Sequence, residues 1–156
     1  MNIYLKLLLA FLICYSAAGI GGYATANSIE GWYSTINKPS FNPPNWIFGP
    51  VWSLLYTFMA ITLWKIWSLP SSELQRTALF WFALQLALNT LWSFLFFYFE
   101  SPLFALIEIL ILWVAILFTI IKFYQLVPWT GILLVPYILW VSFATFLNAS
   151  IWWLNK

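Results

Sequence analysis

Residues 102–124 read PLFALIEILILWVAILFTIIKFY, interrupted only by one acid, Glu108, and one base, Lys122. An α-helix needs about 20 predominantly apolar residues to cross the hydrocarbon core of a bilayer, and this run meets that length. Working outward from it, the chain offers further apolar runs at about 3–26, 46–67, 76–99 and 129–153. Five spans and their connections use nearly all 156 residues, leaving room for a single transmembrane domain and no second folding unit. Composition agrees, with 64% hydrophobic and only 6% charged residues, against about a quarter charged in soluble domains. The expected fold is an all-α integral membrane protein, a five-transmembrane-helix bundle whose partner is the lipid bilayer.

Several chemistries are absent from the outset. The chain has no histidine and a single cysteine, Cys14. Zinc centres, Ser-His-Asp and Cys-His nucleophiles and His-ligated haem are therefore excluded, and no metal site or required cofactor is expected. A net charge of +2, spread along the chain, gives no nucleic-acid surface.

The segment 27–45 is the one long loop. It carries Lys38-Pro39-Ser40 and Asn42-Pro43-Pro44-Asn45; prolines fix φ and remove amide donors, so a stiff extended or turned cover is expected there. The other connections are short, which predicts antiparallel neighbours. Pro102 and Pro128 sit near helix starts, whereas Pro136 lies inside the fifth run and should kink it. Lys6, Lys65, Arg76 and Lys122 fall on the side of the amino terminus, and Lys38 and Lys156 on the other. Four against two favours a cytoplasmic amino terminus.

Small residues suggest close helix approach, Ala18 and Gly22 in the first span and Ala83 and Ala87 in the third; the latter pair serves either a dimer contact or general bundle packing. Gln85 and Asn89 are four residues apart and share a helix face, roughly continued by Trp92 and Ser93. Amides in hydrocarbon need partners, so that face points inward. In the fifth run Tyr137, Trp140 and Ala144 form a stripe. These polar and aromatic groups either stitch helices together or line a cavity. Glu108 is the only acid deep within a span and is expected to face inward. Twelve Trp and eight Tyr exceed what two interfacial belts require, and Trp52, Trp92, Trp113 and Trp140 lie away from the span edges. Flat aromatic walls suit a large, flat, apolar ligand.

Trp32-Tyr33, Lys38-Pro39-Ser40, Pro43-Pro44, Trp46 and Gly49-Pro50-Val51-Trp52 together resemble the signature after the first helix in the translocator protein or tryptophan-rich sensory protein family (TspO/MBR), which includes the peripheral benzodiazepine receptor. Gln85-Leu86-Ala87-Leu88-Asn89 with Trp92, and Pro136-Tyr137 with Trp140, Phe143-Ala144-Thr145 and Leu147-Asn148, resemble its third-helix and fifth-helix motifs. The resemblance covers essentially the whole chain and is to a bacterial-type member, which implies a bacterial cell membrane. It also implies a homodimer with a ligand cavity capped by the long loop, binding tetrapyrroles such as protoporphyrin IX or benzodiazepine-type drugs as receptor, regulator or carrier.

By the same resemblance Trp52 and Trp140 are the pocket tryptophans, and the residues most apt to support light- and oxygen-dependent porphyrin degradation. Tyr33, Tyr56, Gln85, Asn89, Trp92, Ala144 and Asn148 match lining positions, and Lys38 is a candidate donor to ligand carboxylates. Without histidine, binding should depend on the ring and not on a metal. Phe41 stands where the family often has Trp, and the stretch Asn148-Ala149-Ser150-Ile151-Trp152-Trp153 lacks the Tyr and basic residue of the sterol pattern in animal members. The competing function is a small proton-coupled exporter of drugs or lipophiles; four-helix exporters of that kind depend on a Glu in the first helix, where this chain has none.

Overall fold

The computed structural model describes all 156 residues, Met1–Lys156. Its α-helices are α1 (Ile3–Ile29), α2 (Trp32–Thr35), α3 (Asn45–Trp67), α4 (Glu73–Ser93), α5 (Pro102–Leu126), α6 (Pro128–Leu133) and α7 (Val135–Leu154), with a π-helical turn, Phe94–Tyr98, continuing α4. Five segments are long and apolar enough to cross a membrane: α1, α3, α4 with its π turn, α5, and α6 with α7. The protein is an all-α five-helix bundle, as the hydrophobic runs predict.

Local chemistry explains the helix starts. Asn2 Oδ1 accepts from the Tyr4 amide at 2.8 Å, and Ser72 Oγ accepts from the Gln75 amide at 3.1 Å; each satisfies an amide that has no intrahelical partner. Pro102 and Pro128 open α5 and α6, where a missing N–H costs nothing. At the α3–α4 turn, the buried Gln75 side chain donates from Nε2 to the carbonyls of Ile66 and Leu69, both at 3.1 Å, and so closes the end of α3.

Helix α1 packs against both α3 and α4, and α5 against α4 and α7. The contact of α4 with α1 is more extensive than that with α3, although α3 precedes it in sequence. Fully buried Ala10, Ala60 and Ala78 let backbones approach, which matters in lipid, where packing and not water exclusion drives helix association. Phe82 of α4 stacks on Phe123 of α5 at 5.7 Å within this core. Helices α3 and α7 meet through aromatic side chains, Trp52 with Tyr137 at 6.4 Å and Phe48 with Trp140 at 6.1 Å.

The structure departs from the sequence expectations in identifiable places. Helix α1 runs on to Ile29, and the loop contains the helical turn α2. Polar side chains there bond to the carbonyls of their own turns, Asn27 to Tyr23 at 2.8 Å and Ser34 to Gly31 at 2.6 Å, so the polar composition did not end the helix. The expected kink at Pro136 is a break at Leu134 between α6 and α7, which places Pro136 in the first turn of α7. Of the α1 glycines, Gly21 makes the close approach: a Cβ there would lie 3.2 Å from Ser93 Oγ, whereas one on Gly22 would meet nothing within 4 Å. Ala83 and Ala87 are exposed on the outer face of α4, so packing inside the protomer does not explain them.

Two positions give tests of the fold. At Gly131 of α6 a Cβ would lie 2.7 Å from Tyr124 Cβ and 2.9 Å from the Ile120 carbonyl oxygen. Gly131→Ala should destabilise the protein by about 1–3 kcal/mol through this overlap, read as a lower thermal midpoint in detergent. Glu100, in the turn before α5, has φ of 50°, a left-handed conformation that costs a non-glycine residue about 1 kcal/mol. Glu100→Gly should therefore raise the same midpoint.

Candidate ligand-binding site

A cavity of about 520 Å³ lies in the half of the bundle nearer the 27–45 loop, walled by α1, α3, α4 with its π turn, and α7. That volume falls in the range of small-molecule sites, about 300–1,000 Å³. Most of its lining is hydrophobic.

At its floor is a hydrogen-bonded set of side chains from α4 and α7, completed by one backbone carbonyl of α5. The Tyr137 hydroxyl donates to Gln85 Oε1 at 2.7 Å and accepts from Asn89 Nδ2 at 2.9 Å. One turn further, the Trp92 indole N–H donates to Asn148 Oδ1 at 3.0 Å, and Asn148 Nδ2 donates to the Pro102 carbonyl at 2.8 Å. Gln85, Asn89, Tyr137 and Asn148 are all buried, and each makes at least one side-chain hydrogen bond, as a low-dielectric interior requires. The i, i+4 amides read from sequence thus do both things considered for them: they stitch α4 to α7, and Asn89 also faces the cavity.

The walls are aromatic. Trp52 packs beside Tyr56 at 5.9 Å between ring centroids. At the outer end Trp92 stacks on Phe96 at 5.2 Å, and Tyr33 meets Phe97 at 5.5 Å. In the wider π-helical turn the sequence neighbours Phe96 and Phe97 both reach the cavity; such turns often sit at functional sites. The indole N–H groups of Trp64, Trp92 and Trp113 are engaged within the protein, whereas Trp52 and Trp140, both on the wall, donate to no protein group.

The exposed wall residues belong to α1 and α3, namely Tyr15, Gly19, Gly22, Ala26, Gly49 and Ser53. The cavity therefore opens sideways between these two helices, towards the lipid. At the base of the opening the Tyr15 hydroxyl lies 3.0 Å from the Ser53 carbonyl oxygen, to which it donates, and 2.7 Å from Thr57 Oγ1. Added Cβ atoms on Gly19, Gly22 or Gly49 would meet nothing within 4 Å, so these glycines border open space.

The loop closes the outer end. Asn37 and Asn155 exchange hydrogen bonds, amide to side chain at 2.9 Å and side chain to carbonyl at 2.8 Å, which pins the loop to the end of α7. Phe41 stacks on Phe146 at 5.3 Å. Tyr33 turns into the cavity and donates to Asn42 Oδ1 at 3.2 Å, while burial pushes its phenol above the ordinary tyrosine range and keeps it protonated.

Of the candidate residues, Tyr33, Trp52, Tyr56, Asn89, Trp92, Trp140, Ala144 and Asn148 stand on the cavity wall. Gln85 does not; it lies beneath, holding Tyr137. Lys38 also stands off the wall, its ammonium 4.7 Å from the Tyr33 ring centroid and donating to the Ile36 carbonyl at 3.3 Å, so it braces the lid and supplies no charge to the interior. Trp113 is committed elsewhere, donating to Ser142 Oγ at 2.8 Å. Sequence reasoning passed over Tyr15, Phe48, Phe96, Phe97 and the α1 glycines as wall residues; the glycine-rich stretch was the available signal, but it reads equally as close packing. Glu108 is buried, and neither carboxylate oxygen has a hydrogen-bond partner. It does not line the cavity, which counts against a transport cycle that couples protons to a ligand held there.

The sequence profile of the TspO/MBR family matches residues 10–154. The tryptophan-rich protein TspO of Archaeoglobus fulgidus is 41% identical over 155 residues, covering 99% of both chains. The tryptophan-rich sensory protein of Cereibacter sphaeroides is 37% identical over 158 residues, covering 99% of this chain and 95% of the relative. Human translocator protein is 32% identical over 142 residues, 87% of this chain and 84% of the relative. With five apolar spans and a match along nearly its whole length, the chain is an integral membrane protein that belongs to the TspO/MBR family of membrane sensory and translocator proteins.

Proposed function

We propose that this protein binds tetrapyrroles, with protoporphyrin IX as the representative ligand, and acts as a membrane receptor, regulator or carrier for them, in an orientation that places the amino terminus in the cytoplasm. The observation that carries this reading is the indole-walled cavity, open laterally to lipid, in which Trp52 and Trp140 keep free N–H donors. A planar apolar ring reaches such a site by partitioning into the bilayer and sliding between α1 and α3, so its route avoids water. Aromatic stacking and buried area supply the affinity, and the few polar groups fix orientation.

The wall carries no cationic side chain. Ionised propionates buried there would be unpaired, at a cost of several kcal/mol. The ring therefore enters first and its carboxylates stay at the opening, near the headgroups. Light-dependent degradation fits the same geometry. Light excites the bound macrocycle, an electron passes from an adjacent indole to the macrocycle and on to dioxygen, and the indole radical recovers its electron from the macrocycle, which is thereby oxidised. Trp52 and Trp140 both line this wall, which supports that role for them.

Titrating the purified protein with protoporphyrin IX in the dark should quench tryptophan fluorescence saturably; absence of saturable quenching rejects the reading. Under light and oxygen, Trp52→Phe or Trp140→Phe should slow porphyrin loss about tenfold or more while dark affinity changes less, and equal rates would remove the photochemical role. Gly22→Trp should slow association about tenfold by filling the opening, with little effect on thermal stability. Asn155→Ala, which frees the loop from α7, should speed dissociation, measured by displacement in stopped flow.

A further inference from the structure

Indole and phenol rings give up an electron to a strong oxidant, whereas the benzene ring of phenylalanine resists it. The aromatic neighbours of a wall tryptophan therefore decide where an electron vacancy on it can go. Trp140 is a dead end, since the rings beside it are Phe48 at 6.1 Å and Phe143 at 5.6 Å between centroids. Trp92 likewise meets Phe96 at 5.2 Å and Phe97 at 5.9 Å. Trp52 differs: its neighbours are two phenols, Tyr56 at 5.9 Å and Tyr137 at 6.4 Å.

From Tyr56 the series continues to the edge of the protein. Tyr15 of α1 lies 6.4 Å from Tyr56, and the next ring, Phe11, ends it. Trp52, Tyr56 and Tyr15 all line the cavity, the first two one turn apart on α3. A phenol holds an electron vacancy only when its proton can leave, because the charged form is costly in an apolar interior. Tyr56 is 6% exposed and Tyr137 1%, and the Tyr137 proton is held by the Gln85 amide oxygen, which is not a base. Tyr15 is 41% exposed at the lateral opening, its hydroxyl set against the Ser53 carbonyl and Thr57 Oγ1. It is the phenol of this series whose proton can pass to a small acceptor at the opening.

We propose that Trp52, Tyr56 and Tyr15 form a relay that carries oxidising equivalents out of the cavity to its lipid-facing opening, an outlet that Trp140 lacks. The inference rests on the light-driven reading of the site given above. Once light has moved an electron from Trp52 through the macrocycle to dioxygen, Trp52 regains an electron from Tyr15, with the Tyr56 ring as the bridge. The Tyr15 O–H bond breaks as it does so, and its proton goes to the superoxide just formed. The net step converts Tyr15–OH and dioxygen into the Tyr15 phenoxyl radical and the hydroperoxyl radical, with Trp52 and the macrocycle restored. The relay competes with return of the Trp52 vacancy to the macrocycle, and it leaves the radical at the opening and not against the ligand.

The test is freeze-quenched electron paramagnetic resonance of the full chain in oxygenated nanodiscs, illuminated with protoporphyrin IX. Ring-deuterated tyrosine in the protein separates tyrosyl from indolyl and porphyrin radicals by its altered hyperfine pattern. The wild type should show a tyrosyl signal, which Tyr15→Phe, Tyr56→Phe and Trp52→Phe should each lose and Trp140→Phe should keep. Tyr15→Phe should also speed porphyrin loss per absorbed photon, because the outlet is closed. A tyrosyl signal surviving in Tyr15→Phe or Trp52→Phe, or none in a wild type that binds and bleaches porphyrin, overturns the relay. A second arm needs no ligand. In the porphyrin-free protein, azide radicals from pulse radiolysis oxidise indoles ahead of phenols, and tyrosyl absorbance should grow as indolyl absorbance decays, with a smaller yield in Tyr15→Phe and Trp52→Phe. Equal yields in all three overturn the relay whether or not porphyrin binds, whereas absent dark quenching by itself rejects the tetrapyrrole reading. Thermal midpoints near wild type in the tyrosine variants separate a broken relay from a misfolded protein.

Discussion

In a bilayer, apolar helices gain nothing from turning their apolar faces toward one another, because lipid tails are as apolar as leucine. What ties α4 to α7, both of which pack on α5, is a set of hydrogen bonds that have no water to compete with them: Gln85 and Asn89 to Tyr137, and Trp92 to Asn148, which in turn reaches Pro102. Leaving any of these amides unpaired in hydrocarbon is expensive, so the register of the two helices follows from the need to pair them. The cavity rests on this constraint, since the same side chains form its floor and fix where the indoles above them stand.

Space above that floor arises because the helices are pinned unevenly. Below Tyr15, α1 and α3 are joined through the Ser53 carbonyl and Thr57. Beyond it the facing residues are Gly19, Gly22 and Gly49, which have no side chains to close the gap. Gly21, one residue away and lining the same cavity, lets α1 press against Ser93 of α4. A single glycine-rich turn thus packs tightly at Gly21 and stands open at Gly19 and Gly22. The loop completes the enclosure through backbone and side-chain pairing between Asn37 and Asn155, with Lys38 and Tyr33 bracing each other beneath it.

The lipid-facing surface has its own organisation. Ionic residues are confined to the ends of the bundle, apart from the buried Glu108, and the two faces of the membrane differ in charge.

Sequence alone determined the number of spans, their class and the inward face of the third, because these depend on quantities additive along the chain: about 20 apolar residues per crossing, the i, i+4 repeat of Gln85 and Asn89, and the position of each proline. The aromatic motif residues Trp52, Trp92 and Trp140 were legible for the same local reason. Tertiary structure decided which of two adjacent glycines presses against α4 and which has open space beside it. It decided that Gln85 supports the floor while Asn89 faces the space above, and that Lys38 bonds to the lid and not to the interior. It also decided that Glu108 is buried away from the site. Each of those outcomes depends on the distance between segments far apart in sequence, and periodicity along one helix carries no information about that distance.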